Sequence, residues 1–327
     1  MTAIQPRRAV EGGRIAIHGA DFPVDGVRLP DVRIAERPAR IVYASPTRID
    51  AVVPSGLGKS GPATVQIEGA VSEAFIDVAA PFATGLHQVD NPVFDRDGSL
   101  YVTYSGTRGQ QVPVSIFRVR PDGRREAFSS GIVNPTSMAM GPDGQLYVSS
   151  RFEGTVYRVE PDGAAQAFAA ELGVACGLAF DADGTLFVGD RSGTIFKVDQ
   201  GGHASAFATL PSSVAAFHLA FSPEGDLYVT GPTLASYDAV YRIGRRGEVS
   251  VVSERFGRPQ GLMFDAAGSL LVVEALAGSS GLYRVRESGD PELMVAGPDL
   301  VGVACDPRGW LVVCSNESAF RFGYQPA

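Results

Sequence analysis

Phe94-Asp95-Arg96-Asp97-Gly98-Ser99-Leu100-Tyr101-Val102 ends one hydrophobic strand, turns tightly and starts a Leu-x-Val strand, and the chain repeats this pattern five more times. The copies are Met140–Val148 (MGPDGQLYV), Phe180–Val188 (FDADGTLFV), Phe221–Val229 (FSPEGDLYV), Phe264–Val272 (FDAAGSLLV) and Cys305–Val313 (CDPRGWLVV). The turn glycines Gly98, Gly144, Gly184, Gly225, Gly268 and Gly309 stand 46, 40, 41, 43 and 41 residues apart. A unit of about 40 to 45 residues built only of strands is one propeller blade. The expected fold class is therefore all-β, a six-bladed β-propeller.

Outward from each turn the pattern continues. After the Leu-x-Val strand comes a polar stretch and an alternating strand such as Val156-Tyr157-Arg158-Val159 or Leu282-Tyr283-Arg284-Val285, then a second glycine turn and a fourth strand. Alternation puts Val or Ile on one face and Arg or Lys on the other. Each repeat thus supplies strands a, b, c and d of a blade. The a–b and c–d turns are short and crowd one face of the disc, so the b–c and d–a loops, which vary in length, share the opposite face. The sixth repeat runs out after strand c, with only Tyr324 to Ala327 beyond it. Its missing strand d is expected upstream near 75–83, because Ala79–Asp95 reads like Glu126–Met138, and closing the ring this way removes free sheet edges.

The segment before the repeats, up to about Val71, shows short strands broken by Gly, Pro and Asp. Val10-Glu11-Gly12-Gly13 ahead of Ile15–Gly19, Ser45-Pro46-Thr47-Arg48-Ile49, and Val53-Pro54-Ser55-Gly56 before Gly61-Pro62-Ala63 resemble the IPT/TIG immunoglobulin-like family. The resemblance implies an N-terminal Ig-like β-sandwich over residues 1–74, leaving 75–327 for the propeller. Trp310 stands one residue after its turn glycine, where the other repeats carry polar residues. It is expected to pack at the junction of the two parts.

No run approaches the roughly 18 apolar residues of a membrane span. No secretory signal is visible in MTAIQPRRAVEGG, which points to a cytoplasmic address. A formal net charge of −8 argues against nucleic acid as a partner. Cys176, Cys305 and Cys314 show no metal spacing. The turn around Pro307 to Gly309 should pair Cys305 with Leu311 rather than with Cys314, so all three read as buried thiols.

Register names the residues that converge on the central channel. Eight residues before each turn glycine, at the mouth of strand a, stand Asp90, Thr136, Cys176, Phe217, Gln260 and Val301; six after it, where strand b emerges, stand Tyr104, Ser150, Asp190, Gly231, Glu274 and Ser315. His218 follows Phe217 on an inner strand, whereas His18, His87 and His203 read as surface or sandwich positions. The candidate catalytic group is His218 as a general base, helped by Asp190 or Glu274. Candidate ligand-binding residues are Asp90, Asn91, Gln260, the rim arginines Arg151 and Arg191, and Tyr104, Arg108, Tyr237 and Asp238 from the two long b–c loops. Gln110 belongs to the same loop as Arg108. No G-x-S-x-G, H-E-x-x-H or phosphate-binding glycine loop occurs.

From about residue 80 onward the repeats resemble the superfamily of regucalcin/gluconolactonase enzymes and NHL-repeat proteins. The resemblance implies a divalent cation at the channel mouth. By register two of its ligands fall on Cys176 and Phe217, which do not suit a hard cation; Asp90, Asn91, Asp190 and Glu274 are the remaining oxygen donors. The expectation is no metal and no cofactor, and a small polar ligand at the channel mouth, a lactone or ester that the chain hydrolyses. The alternative is a non-catalytic module that docks a protein or glycan partner.

Overall fold

The computed structural model describes residues 3–24, 28–69, 74–306 and 308–323. Pro307, the boundary near Val71 and the tail from Tyr324 to Ala327 lie outside them. Among the described residues the chain is all strand and turn, and no helix is long and apolar enough to cross a membrane.

Each repeat folds into an antiparallel sheet whose four strands pair in sequence order. The first runs Val93–Phe94, Leu100–Thr103, Ile116–Val119 and Arg125–Ser129, and the pattern recurs from Pro135 to Ala169, Ala175 to Thr209, His218 to Phe256 and Pro259 to Ala296. The sixth sheet pairs Leu300–Cys305, Trp310–Ser315 and Ser318–Gly323 with Pro81–Thr84. The a strands neighbour one another in cyclic order, the last returning to the first. This is the layout of a β-propeller.

The repeat motif has a local cause. Its turn glycines all take positive φ, from 77° to 86°, which other residues adopt at a cost. The Asp ahead of the turn accepts the amides that the turn leaves over: Asp95 those of Asp97 (3.0 Å) and Ser99 (2.8 Å), Asp306 those of Arg308 (2.8 Å) and Trp310 (2.9 Å). The motif's two aromatic positions meet across neighbouring sheets. Tyr147 packs edge-on to Phe180 at 5.0 Å, Phe187 to Phe221 at 5.1 Å and Tyr228 to Phe264 at 4.8 Å. Such pairs add about 0.5–1.5 kcal/mol each beyond their buried area. The core therefore lies between the sheets, as in the cluster of Tyr147 and Val156 with Leu178 and Val188.

The stretch read as one closing strand is two. Ala74–Ala79 pairs with Gly61–Ile67 and with Arg8–Val10 in the N-terminal part, and only Pro81–Thr84 joins the sixth sheet. Pro81 has no N–H to continue the first ladder, which is where the pairing changes hands.

The N-terminal part packs two sheets around Ile15, Ile17, Ile34, Ile49, Val65 and Ile76. One of them is continuous with the fifth propeller sheet. Arg8–Val10 lies parallel to Pro291–Ala296 on one side (Arg8↔Val295, Ala9↔Ala296) and to Ala74–Ala79 on the other. The attachment is thus to the edge of the fifth sheet, and Trp310 takes no part in it. The Arg321 guanidinium lies 5.0 Å from the centre of the Trp310 ring, and Gly323 of the paired strand lies beside it, so the ring covers its own hairpin. Cys305 pairs with Leu311, as its turn requires; the three thiols are free, Cys176 and Cys314 buried as expected and Cys305 only half-buried.

Candidate functional site

Strand a is bulged in four sheets at the positions that register assigns to the channel mouth. Pairing skips Thr136 and Ser137 in the second, Cys176 in the third, Gln260 and Gly261 in the fifth and Val301 in the sixth. A bulge re-aims the side chain that it frees from the ladder.

His218 opens the inner strand of the fourth sheet, and Asp90 precedes that of the first, which faces it across a ring of this order. Their side chains meet: His218 Nδ1 lies 2.5 Å from Asp90 Oδ1, and both residues are buried, at 0% and 3% exposure. Asp90 Oδ1 also accepts the Asn91 amide at 2.7 Å, and Gln88 clamps the Asp90 carbonyl with its Nε2 (2.6 Å) and the Thr103 amide with its Oε1 (2.8 Å). His218 Nε2 is buried with no partner among the described residues. The partner of His218 is therefore Asp90 rather than Asp190 or Glu274.

Those two carboxylates hold loops instead. Asp190 accepts the Val174 amide at 2.7 Å and the Ser192 hydroxyl, while Glu274 accepts the amides of Gly257 (2.6 Å), Arg258 (2.8 Å) and Leu276 (2.8 Å). Strand b ends beside the d–a loop of its own blade, whose amides lack strand partners, and an acid at that end is their nearest acceptor. Ser150 and Ser315 use hydroxyls, Ser150 Oγ donating to the Val133 carbonyl of the d–a loop at 2.5 Å and Ser315 Oγ accepting the Ser318 amide of its own b–c turn at 3.1 Å. Asp238 accepts the Thr233 amide (2.9 Å) and hydroxyl (2.6 Å) inside its own loop. Asn91 clasps neighbouring sheets, donating to the Leu262 carbonyl at 2.7 Å and accepting the Val303 amide at 2.9 Å. Buried Gln260 contributes its carbonyl, which accepts the Thr230 hydroxyl at 2.6 Å.

The remaining candidates are less enclosed. Tyr104 is exposed and edges onto His87 at 5.9 Å. Arg151 is half-buried, Arg191 and Arg108 exposed, and Tyr237 exposed. Burial, with the charge of Arg151 added, holds the His87 imidazole below its ordinary value. Burial pushes the Cys176 thiol up to about 12, against the pull of Arg151 and Arg191 and with the help of Asp90. His87, read from sequence as peripheral, thus belongs to this face. So does Asn134, which sequence reading passed over. It accepts the Gly109 amide (2.6 Å) and donates to the carbonyls of Ser105 (2.6 Å) and Thr107 (2.8 Å), fastening the loop that carries Arg108. Asn at a positive φ of 47° was its only signal, and that is a property of the folded backbone.

No family model matches the chain, and no curated protein does either. Solved structures do resemble it. A gluconolactonase from Xanthomonas campestris is 14% identical, with a TM-score of 0.63 over 93% of this chain and 98% of that one. An auxiliary nutrient binding protein from Bacteroides ovatus is 14% identical, with a TM-score of 0.58 over 98% of this chain and 97% of that one. A catalytically inactive histidine-to-alanine variant of virginiamycin B lyase from Staphylococcus aureus, solved with quinupristin, is 12% identical, with a TM-score of 0.54 over 94% of this chain and 98% of that one. What this chain shares with them is the fold, a β-propeller.

Proposed function

We infer that the chain is a six-bladed propeller behind an Ig-like sandwich, and that it binds a small polar molecule at the channel mouth on the variable-loop face and hydrolyses a lactone or ester there. The observation that carries this reading is the cross-channel pair. Asp90 holds one ring nitrogen of His218, which leaves Nε2, buried and without a partner among the described residues, as the nitrogen able to take a proton. A fixed carboxylate that orients an imidazole is the usual support of a general base. The gluconolactonase neighbour supports the reaction class, and the inactive lyase variant is a precedent for a histidine carrying catalysis on this fold.

The cation implied by the lactonase resemblance does not fit these residues. Phe217 has no donor atom, and the Cys176 thiol, at about 12, stays protonated, so no step is routed through a metal.

The test is turnover of a panel of γ- and δ-lactones and aryl esters by the wild type, His218→Gln and Asp90→Asn, each checked for folding. Loss of His218 should cost about 100- to 10,000-fold in kcat, the range of one general base. Turnover should survive EDTA. An unchanged rate in folded His218→Gln, or activity lost to EDTA and restored by a divalent ion, would overturn the mechanism. A second reading, ligand binding without catalysis, rests on Asp190 and Glu274 being committed to loop amides and on the nutrient-binding neighbour. It predicts binding by the panel with no turnover in the wild type.

A further inference from the structure

Several arginines elsewhere on the propeller are paired with acids: Arg118 and Arg120 with Glu126, Arg158 with Glu160, Arg242 with Asp226, Arg308 with Asp306. On the variable-loop face Arg108, Arg151, Arg191 and Arg258 have no side-chain partner among the described residues. The acids of that face do not serve them. Asp90 is taken by His218, Asp190 and Glu274 by loop amides, Asp238 by Thr233, and Glu153 accepts the Tyr157 hydroxyl at 2.9 Å. Glu171 pairs with none of the four. In a chain of net charge −8, four guanidiniums on the face where the scaffold is most variable are thus left without a carboxylate partner among the described residues.

Two of these arginines are equivalent. The Arg151 amide donates to the Asn134 carbonyl at 3.3 Å and the Arg191 amide to the Val174 carbonyl at 3.1 Å, so they leave adjacent blades at the same point of the mouth. Both charges reach the Cys176 thiol beneath, as does that of Asp90. Apolar surface adjoins them. Phe152, next to Arg151, is 53% exposed, and Gly109 of the Arg108 loop lies against its ring.

We propose that the ligand of this mouth is an organic carboxylate, gripped by Arg151 and Arg191 with its apolar part laid on Phe152 and Tyr104. The proposal rests on the ligand-binding reading above and gives it a substrate class. A planar guanidinium meets a carboxylate through two parallel N–H···O bonds, and two of them on one rim favour an acid over its neutral isostere. For a lactone hydrolase the ring-opened hydroxy acid then binds more tightly than the lactone and inhibits as product.

The test compares phenylacetate with phenylacetamide, equal in shape and different in charge, by calorimetry and ligand-observed NMR on the full chain. Phenylacetate should bind at least tenfold more tightly. Arg151→Gln/Arg191→Gln should abolish that preference, losing about ten- to a hundredfold for each arginine. Arg96→Gln, on the opposite face, should leave it unchanged, which controls for net charge. Melting curves establish that each variant is folded, and Arg151→Lys/Arg191→Lys, which keeps the charge and loses the fork, should recover binding in part. Equal binding of acid and amide, or a preference that survives the double Gln variant, overturns the carboxylate assignment. So does failure of both probes where lactones of the panel still bind, and the ligand-binding reading then stands. Failure of both probes and of the whole panel overturns the two together.

Discussion

Asp90 and His218 stand 128 positions apart in sequence and 2.5 Å apart in space, and nothing local to either residue announces the other. Register placed both at the channel mouth, but a mouth position does not say which neighbour a side chain will choose. Desolvation decides it. Two polar groups closed off from water must satisfy each other, whereas Asp190 and Glu274 sit beside free loop amides and are used up there. Asp90→Leu, which strips the buried imidazole of its acceptor, should cost about 3–5 kcal/mol in chemical denaturation. The double change Asp90→Leu/His218→Leu should recover most of that. A cost below about 1 kcal/mol for the single variant would mean that the pair contributes little.

The propeller elements are joined by contacts that recur at five of the seams. The c–d turn glycines Gly123, Gly163, Gly202, Gly247 and Gly289 each face a carbonyl of the preceding blade's outer strand, from Phe82, Phe128, Phe168, Phe207 and Val252. Phe82 lies in Pro81–Thr84, so this strand meets the first blade as the outer strands of the first four blades meet their successors. Gly163 and Gly131 have nearly equal φ, 90° and 88°, but a Cβ at Gly163 would run into the Phe128 carbonyl whereas one at Gly131 meets nothing within 4 Å. Gly131→Ala should therefore cost only the backbone strain, about 1 kcal/mol, and Gly163→Ala clearly more, by denaturant midpoint. Equal costs would show that the seam yields freely. The first blade offers a pH readout. Hydrogen bonds from Arg120 and Arg118 hold the Glu126 carboxyl down at about 2, against an ordinary 4.5. A depressed acid stabilises the fold above its unfolded value and loses that contribution as pH falls towards the folded value. The gap in Tm between wild type and Glu126→Gln should thus be constant near neutrality, narrow below about pH 4.5 and close near pH 2. A gap independent of pH would contradict this.

At the scale of the molecule, the N-terminal part and the fifth blade share one sheet. Ala9 belongs to the N-terminal core and its neighbour Val10 to the cluster of Leu271, Val273, Val295 and Phe320. Ala9→Asp puts an unpaired charge at full burial between them, and should lower the stability of both parts in one calorimetric transition. Two transitions, with only the smaller one shifted, would mean that the parts unfold independently. Trp310 reports the other side of the same point. Packed under Arg321 on its own hairpin, it should keep its emission maximum in Ala9→Asp under conditions where the protein is folded. A red shift there would tie it to the junction after all.

What the sequence determined by itself was whatever repeats or depends on near neighbours. The turn glycines, the short turns and the pairing of Cys305 with Leu311 follow from local geometry that recurs every 40 to 46 residues, so each copy strengthens the reading of the others. Register carried this inward to the mouth positions, four of which are bulges. Tertiary structure alone decided which groups meet across the ring. It joined Asp90 to His218, spent Asp190 and Glu274 on loops, brought His87 beside Tyr104, divided 74–84 between two sheets and laid Trp310 on its own strand. Those choices turn on burial and on competition for hydrogen-bond partners. They exist only when distant segments of the chain have been brought together and water has been excluded between them.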